Sequence, residues 1–526
     1  MNNQRVQTCF KIAVISLAVL LLALQLYHTF YFPMWRDDSQ IGSVAKNLAM
    51  GNGYQMTLFD KDYPFIYYIS TGPVLILPAA LMIFIFGNQY WVTSISSVLV
   101  IWVLLICIFI ASKKVFSKER RWPFSFLALS LMLVSSVLEL GGYAFETGDR
   151  LGLWHFLMGD ISASLLVILG TFLLFCCEKN KKKIFMAGVV LGLAVVDKSI
   201  TAIAAPMILS VFAMKIFLDQ SLKNSKKIIL VLVVAAGFIA PSFLFEITKL
   251  IALGWQNYSQ LQIQNANFYK VNAVITAPID INGWHIEPKR FNHILYFFEL
   301  FGLGFFFSIL FIFYSTYSLY KNRNSEPQGL NSFFIALALL LAFLMHSFWW
   351  TYFSGGGERY LLPGLFYYAA LLSLLVVNIK YNWVLGNAVV MLLALLFVGR
   401  FDTIHYLMFE GFKDNGRLEE QLKITDIVKD LKQKGVTTIS CGNNFEIEYL
   451  LPETKNFKEC NEFFQNSVKS KKVILVSYFI DSSQYEVSME PAKYYGGVRV
   501  APKSILTKCD KVYLKTDNFL LRWCRS

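Results

Sequence analysis

Long, continuous apolar runs recur along the chain, and they constrain its fold more than any other feature. In lipid every backbone N–H and C=O must be satisfied within the protein, which admits only helices or closed barrels. Barrel strands alternate apolar with polar residues. These runs do not alternate, and they are long enough for helical spans. The chain therefore reads as a polytopic α-helical membrane protein. Composition agrees, with 56% hydrophobic and 16% charged residues and a mean hydropathy of +0.50. The formal net charge of +13 invites a nucleic-acid reading. The basic residues, however, lie mostly in short loops between apolar runs, which is the positive-inside pattern. Membrane lipid is the expected environment, and nucleic acid is not an expected partner.

The basic loops also set the topology. Residues 1–11 carry Arg5 and Lys11, residues 12–32 are apolar, and no small-residue cleavage pattern follows. This predicts an uncleaved first helix with a cytoplasmic N-terminus. Loops 112–122, 178–183 and 219–227, and the loop with Lys321 and Arg323, are all basic. All become cytoplasmic only if the stretch from Asp38 to Lys113 crosses once. It holds two apolar runs, 64–86 and 91–111. The first contains Pro64, Pro73 and Pro78 and is expected to lie at the interface. The remaining spans fall near 123–140, 160–178, 184–197, 200–218, 228–248, 293–320, 331–353, 361–379 and 383–400. With the first helix and 91–111, that makes about eleven. The pair 184–197 and 200–218 is short enough to form one kinked element. Residues 249–292 read as an outer loop. The outer loop 33–90 is expected to carry two surface helices, the first over 38–50 and ended by Gly51-Asn52-Gly53.

From residue 401 the chain turns polar. Residues 417–434 predict a helix, and VTTIS, KKVILVSYF and KVYLKT predict strands. Two domains follow: 1–400 in the membrane, and 401–526 as a small extracytoplasmic α/β domain. Cys9, Cys107, Cys176 and Cys177 read as apolar fillers. Cys441, Cys460, Cys509 and Cys524 fall in the exported tail. They suggest one or two disulfides, with three full pairings open. A zinc site is the rival, but no CxxC spacing supports it.

With this topology the unusual polar residues collect at the outer side. Trp35-Arg36-Asp37-Asp38 close the first helix. Glu146, Asp149, Arg150, His155 and Asp160 fall in the second outer loop or at the mouth of the next helix. Asp197 and Lys198 form the third outer turn, His285, Lys289 and Arg290 lie in the fourth loop, and Glu358, Arg359 and Tyr360 follow a Gly-Gly-Gly turn. Helix interiors are almost free of charge, whereas a solute transporter needs ionisable groups near the midplane. Carboxylates and cations at one mouth suit a hydroxyl acceptor and an anionic leaving group. A carboxylate takes the hydroxyl proton as oxygen attacks an anomeric carbon. Lys and Arg offset charge on the departing phosphate.

These residues resemble the GT-C superfamily of polyprenyl-phosphate-sugar-dependent membrane glycosyltransferases. DDSQIGSVAKNLAMGNGYQ resembles its acidic motif and amphipathic helix, and DYPFIYYISTGPVLILPAALMIFIFG its proline-containing surface helix. MGDISASLL, GLAVVDKSI and ERYLLPG resemble a second acidic position, a G-L-A-x-x-x-K turn and a late R-Y-x-L-P motif. The match covers roughly residues 10–400. In form it is nearest the lipid A aminoarabinose transferases and the protein O-mannosyltransferases. The resemblance implies Asp37 as the base, with Asp38 and Asp160 as further catalytic carboxylates. It implies Lys198, Arg359 and Tyr360 as donor-phosphate contacts. Glu146, Asp149 and Lys61 are candidate acceptor or second-layer residues. Asp38 stands where those two families usually have Glu, and Lys61 is one position off the aminoarabinose-transferase spacing. The tail matches no named family.

The expected activity is an inverting transfer of a monosaccharide from a polyprenyl-phosphate donor to a glycan, lipid or protein hydroxyl. No cofactor is required, a divalent cation being compatible, and no metal ligand set is assigned. The expected location is the inner membrane, with the tail outside. A transporter or flippase of lipid-linked sugar, and an oligosaccharide ligase or polymerase, are the alternatives. Plainer readings exist too. Asp37, Asp38 and Asp160 can cap helices, Lys198 can pair locally with Asp197, Arg359 can snorkel, and His346 can be a satisfied packing residue.

Overall fold

The computed structural model describes residues 3–31, 36–58, 61–66, 69, 71–139, 159–177, 179–276, 312–318, 320–321, 329–353, 358–378, 417–441, 449–450, 455–457, 473–478, 511–515 and 519–524. By its internal contacts the chain divides into two units. One comprises Met1–Leu26, Ser70–Leu75 and Ser97–Phe412, the other Tyr27–Ile69, Ile76–Ser96 and Lys413–Ser526. The expected boundary at 400 and the expected span 383–400 lie outside the described residues, as does most of 293–320.

The order is α1 (Asn3–Tyr31), α2 (Arg36–Ala49), β1 (Gln55–Leu58), β2 (Lys61–Pro64), α3 (Pro73–Phe86), α4 (Val92–Ser112), α5 (Lys118–Glu139), α6 (Asp160–Phe175) and α7 (Lys181–Asp197). A 3-10 turn (Ser199–Ile203), α8 (Ala205–Leu218) and α9 (Asn224–Thr276) follow. Next come α10 (Gly329–Phe353), a second 3-10 turn (Glu358–Leu361) and α11 (Leu362–Asn378). Among the described residues five helical segments are long and apolar enough to cross a membrane: Gln7–Tyr31, Val92–Ser112, Ser199–Leu218, Asn224–Asn267 and Gly329–Thr351. Helix α3 has 14 residues, so it rises only ~21 Å, less than the hydrocarbon thickness.

One alternative closes and one expectation changes. Residues 184–197 and 200–218 are separate elements, because Lys198 between them is extended (φ −148, ψ 110). The segment 249–292, read as loop from its polarity, is helical as far as Thr276. Gly254 (φ 71, ψ 164) breaks the ladder once. Residues 255–276 then contain neither Gly nor Pro, so nothing stops the helix from resuming.

In the first unit α6 and α11 form the centre. Every α6 residue except Leu173 is buried, as is α11 from Leu362 through Leu375. A helix apolar on all sides belongs inside a bundle. Helices α7 and α9 meet backbone to backbone through glycines. A Cβ on Gly188 would stand 2.5 Å from the Val234 carbonyl oxygen, and one on Gly192 would stand 2.2 Å from that of Phe238. Gly188 and Gly192 have the small-xxx-small spacing that lets helices approach closely in lipid. Gly192 is also the glycine of the GLAVVDKSI motif, so the motif's first position is a packing position.

In the second unit α2 lays its inner face, including Ile41, Val44 and Ala45, against the core. The tail contributes α12 (Arg417–Gln433), β3 (Thr437–Cys441), β4 (Lys455–Phe457), β5 (Val473–Tyr478), β6 (Lys511–Lys515) and β7 (Phe519–Cys524). The sheet order is β4-β3-β5-β7-β6. Strands β4, β3 and β5 are parallel, while β7 is antiparallel to both β5 and β6. Buried Ile424, Val428 and Leu431 mark the inner stripe of α12. The sequence reading located α12, β3, β5 and β6 but not β4, β7 or the β1–β2 hairpin.

The register excludes one disulfide. Cys524 and Thr437 both lie opposite Val473. Cys441 is therefore four residues along and two strands across from Cys524, an offset of ~13 Å by ~10 Å. Disulfides need Cα atoms within ~7 Å. The pairing Cys441–Cys524 with Cys460–Cys509 falls; Cys460 and Cys509 lie outside the described residues.

Non-reducing peptide mapping of the tail will yield no Cys441–Cys524 crosslink; recovering one would disprove this strand register. Gly192→Ala will lower the melting temperature in detergent, since overpacking costs ~1–3 kcal/mol. An unchanged melt would show that α7 and α9 do not touch there.

Candidate active site

Each unit holds a cluster of buried charge. In the first, the local fold is set by Gly159 and Gly72. Gly159 has φ +80, a conformation that admits glycine far more readily than other residues, and it turns the chain into α6 so that Asp160 opens the helix. A carboxylate in the first turn is favoured by the helix dipole. The N–H of Gly72 donates to the Asp197 carbonyl at 2.8 Å. A Cβ there would collide with the Val196 carbonyl. The segment at Gly72 is thus pinned to the end of α7.

Lys198, next in the chain, is 5% exposed, and Asp160 is 2% exposed. Their Nζ and Oδ2 atoms are 3.2 Å apart. The ion pair therefore joins Lys198 to Asp160 on another helix. Asp197, fully buried, accepts a hydrogen bond from the Ser162 hydroxyl on α6 at 2.5 Å. Apart from the Lys198 contact, neither Asp160 oxygen accepts a hydrogen bond among the described residues, and the Leu75 backbone N–H faces the Asp197 carboxylate. A buried ammonium and two buried carboxylates are costly to hold in a core. Such clusters recur where a charged ligand is handled. His346, on α10, lies within electrostatic reach of Asp160. It hydrogen-bonds the Tyr360 carbonyl at 2.7 Å. Asp160, Lys198 and the turn bearing Arg359 and Tyr360, separate in sequence, are thereby gathered in one unit. Ser162 and the Tyr360 contact of His346 had no signal in the sequence.

In the second unit, Asp37 lies in the first turn of α2. Asp38 is 1% exposed, and its Oδ2 accepts from the Thr93 hydroxyl at 3.3 Å. On the same helix Asn47 donates to the Gln55 carbonyl at 3.0 Å and to the Thr57 hydroxyl at 2.8 Å. The asparagine of the NLAMGNGY stretch thus clamps α2 to the hairpin. Lys61 begins β2 opposite Leu58. Lys46 and Asn88 both donate to the main-chain carbonyl of Tyr449 in the tail, at 3.3 and 2.6 Å. The Tyr449 phenol is buried. Burial first, and then the charge of Asp38, raise its pKa above the ordinary tyrosine value. The side chains of Asp37, Lys61 and Arg359, and all of Glu146 and Asp149, lie outside the described set. Among the described residues no three His, Cys, Asp or Glu side chains gather as a metal ligand set.

No family model and no curated protein matches the sequence of the chain. Its structure is similar to that of ArnT from Cupriavidus metallidurans in the apo state. The TM-score is 0.55 at 12% identity, covering 98% of this chain and 98% of that one. The same protein bound to undecaprenyl phosphate gives 0.51 at 11% identity, covering 96% and 97%. The archaeal oligosaccharyltransferase AglB from Archaeoglobus fulgidus gives 0.46 at 11% identity, covering 88% of this chain and 69% of that one. The chain has a GT-C-type fold. It is a polytopic helical membrane protein, and the likeness to ArnT extends over nearly its whole length.

Lys198→Ala will destabilise the protein by ~3–5 kcal/mol, because it leaves Asp160 buried without its cation. Adding Asp160→Asn will restore most of that loss. Thermal unfolding of the four forms of the cycle measures it. Melting of Lys198→Ala at the wild-type temperature would show that the two groups are not a buried pair.

Proposed function

We propose that the protein is a membrane glycosyltransferase that moves a monosaccharide from a polyprenyl-phosphate donor to an acceptor hydroxyl. The observation that carries this reading is the buried Lys198–Asp160 pair, set in a fold shared end to end with ArnT. One of the ArnT structures holds undecaprenyl phosphate. A buried cation paired with a carboxylate can exchange it for a phosphate. Charge-assisted contacts of this kind are strong once water is excluded. Arg359 and Tyr360 complete the donor-phosphate contacts, and Asp160 holds the ammonium between turnovers.

Asp37 is the general base. As the acceptor oxygen bonds to the anomeric carbon, the acceptor proton passes to the Asp37 carboxylate. The bond from that carbon to the lipid phosphate breaks, and the phosphate leaves with the electron pair. Attack opposite the leaving group inverts the configuration. Asp38 is enclosed and hydrogen-bonded to Thr93, which suits a carboxylate that orients the acid-bearing helix. Lys61, Glu146 and Asp149 belong to the acceptor side of this scheme. The acceptor is a glycan, a lipid or a protein. The positive-inside pattern supports a cytoplasmic N-terminus in the inner membrane and an outer reaction face. Residues 1–400 form the catalytic membrane part, and 401–526 the exported domain.

The test uses purified protein in detergent, radiolabelled undecaprenyl-phosphate sugars and a crude envelope-glycan acceptor. Wild type will transfer label. Asp37→Asn will lose at least ~10²-fold of that rate with an unchanged melting temperature. Near-wild-type turnover by Asp37→Asn would remove Asp37 as the base.

A further inference from the structure

We infer that His346 is a positioning residue for the lipid-phosphate site, fixing the turn that presents Arg359 and Tyr360. The inference rests on the proposed function. His346 lies inside α10 and is completely buried. A carbonyl only accepts, so the hydrogen bond to the Tyr360 oxygen at 2.7 Å fixes the proton on Nε2. The imidazole thus ties α10 to the turn that opens α11.

The ring is held in place on its other sides. It meets Tyr367 edge to face, with centroids 6.0 Å apart, and Trp349 at 5.7 Å. Gly364 makes room for it, since a Cβ there would sit 2.9 Å from Cδ2 of the imidazole. Gly364, the last residue of the ERYLLPG motif, thus leaves the space that the ring fills. A turn locked this way is already formed before the phosphate arrives. Such preorganisation shows up as affinity.

The experiment measures binding of undecaprenyl phosphate, and of phosphate-free undecaprenol, to the full-length protein in detergent. His346→Phe keeps a ring but removes the donor. It will weaken undecaprenyl phosphate by up to ~10-fold, the range of one hydrogen bond, and leave undecaprenol unchanged. His346→Gln, whose amide nitrogen falls near Nε2, will bind within ~3-fold of wild type. Gly364→Ala, which pushes the imidazole away from α11, will repeat the phosphate-specific loss and serves if His346→Phe does not fold. Equal weakening of both lipids, or no weakening of either, would overturn the role of His346. Arg359→Ala is the parallel arm. If it binds undecaprenyl phosphate like wild type, the assignment of this turn to the donor phosphate is wrong, whatever His346 does. If it loses affinity while His346→Phe and Gly364→Ala do not, only the His346 inference fails.

Discussion

A buried ammonium group cannot stand alone, and the first unit is arranged around that fact. Lys198 is drawn from the end of α7 by an extended residue conformation. It meets Asp160 where α6 begins. That meeting needs Gly159 in a left-handed turn. It also needs α7 held close to α9 by Gly188 and Gly192, and the Gly72 backbone docked on Asp197. Each of these constraints is local, and all of them converge on one ion pair. Desolvation makes such a pair a poor source of stability, so its retention in the core speaks for a task other than holding the bundle together.

Much of the fold was legible because lipid leaves few choices. Continuous apolar runs can only be helices, and the basic loops order them. Residues 38–50 and 417–434 were readable from their periodicity, and they are α2 and α12 with ends moved by a residue or two. The failures have physical causes. The far half of α9 was read as loop because it is polar, yet polarity does not end a helix; a breaker does. Strands β4 and β7 and the β1–β2 hairpin are stretches of three to six residues whose identity comes from their partners. The site was legible in part. Asp160 and Lys198 stood out as charges beside apolar runs, but their pairing across 38 residues did not. His346 read as a packing residue; it is buried, and its polar edge also holds the Tyr360 turn.

The glycines sharpen this point. In MGDISASLL, GLAVVDKSI and ERYLLPG the acidic or basic residue attracts attention. The neighbouring glycine in each case serves a backbone or packing need: a left-handed turn at Gly159, helix contact at Gly192, ring clearance at Gly364. The motifs are thus pairs of a charged group and the backbone device that aims it.

The node at Tyr449 has a consequence of another kind. Lys46 and Asn88 grip its main-chain oxygen, an atom that every amino acid carries. The ring is held as well: it is buried, and the Lys46 ammonium stands 5.8 Å from its centroid. Correlated substitution between tail and loop is then to be sought at Tyr449 and Lys46. A tail fastened in this way can be remodelled elsewhere over evolutionary time, while Tyr449 stays tied to the helix that carries Asp37 and Asp38.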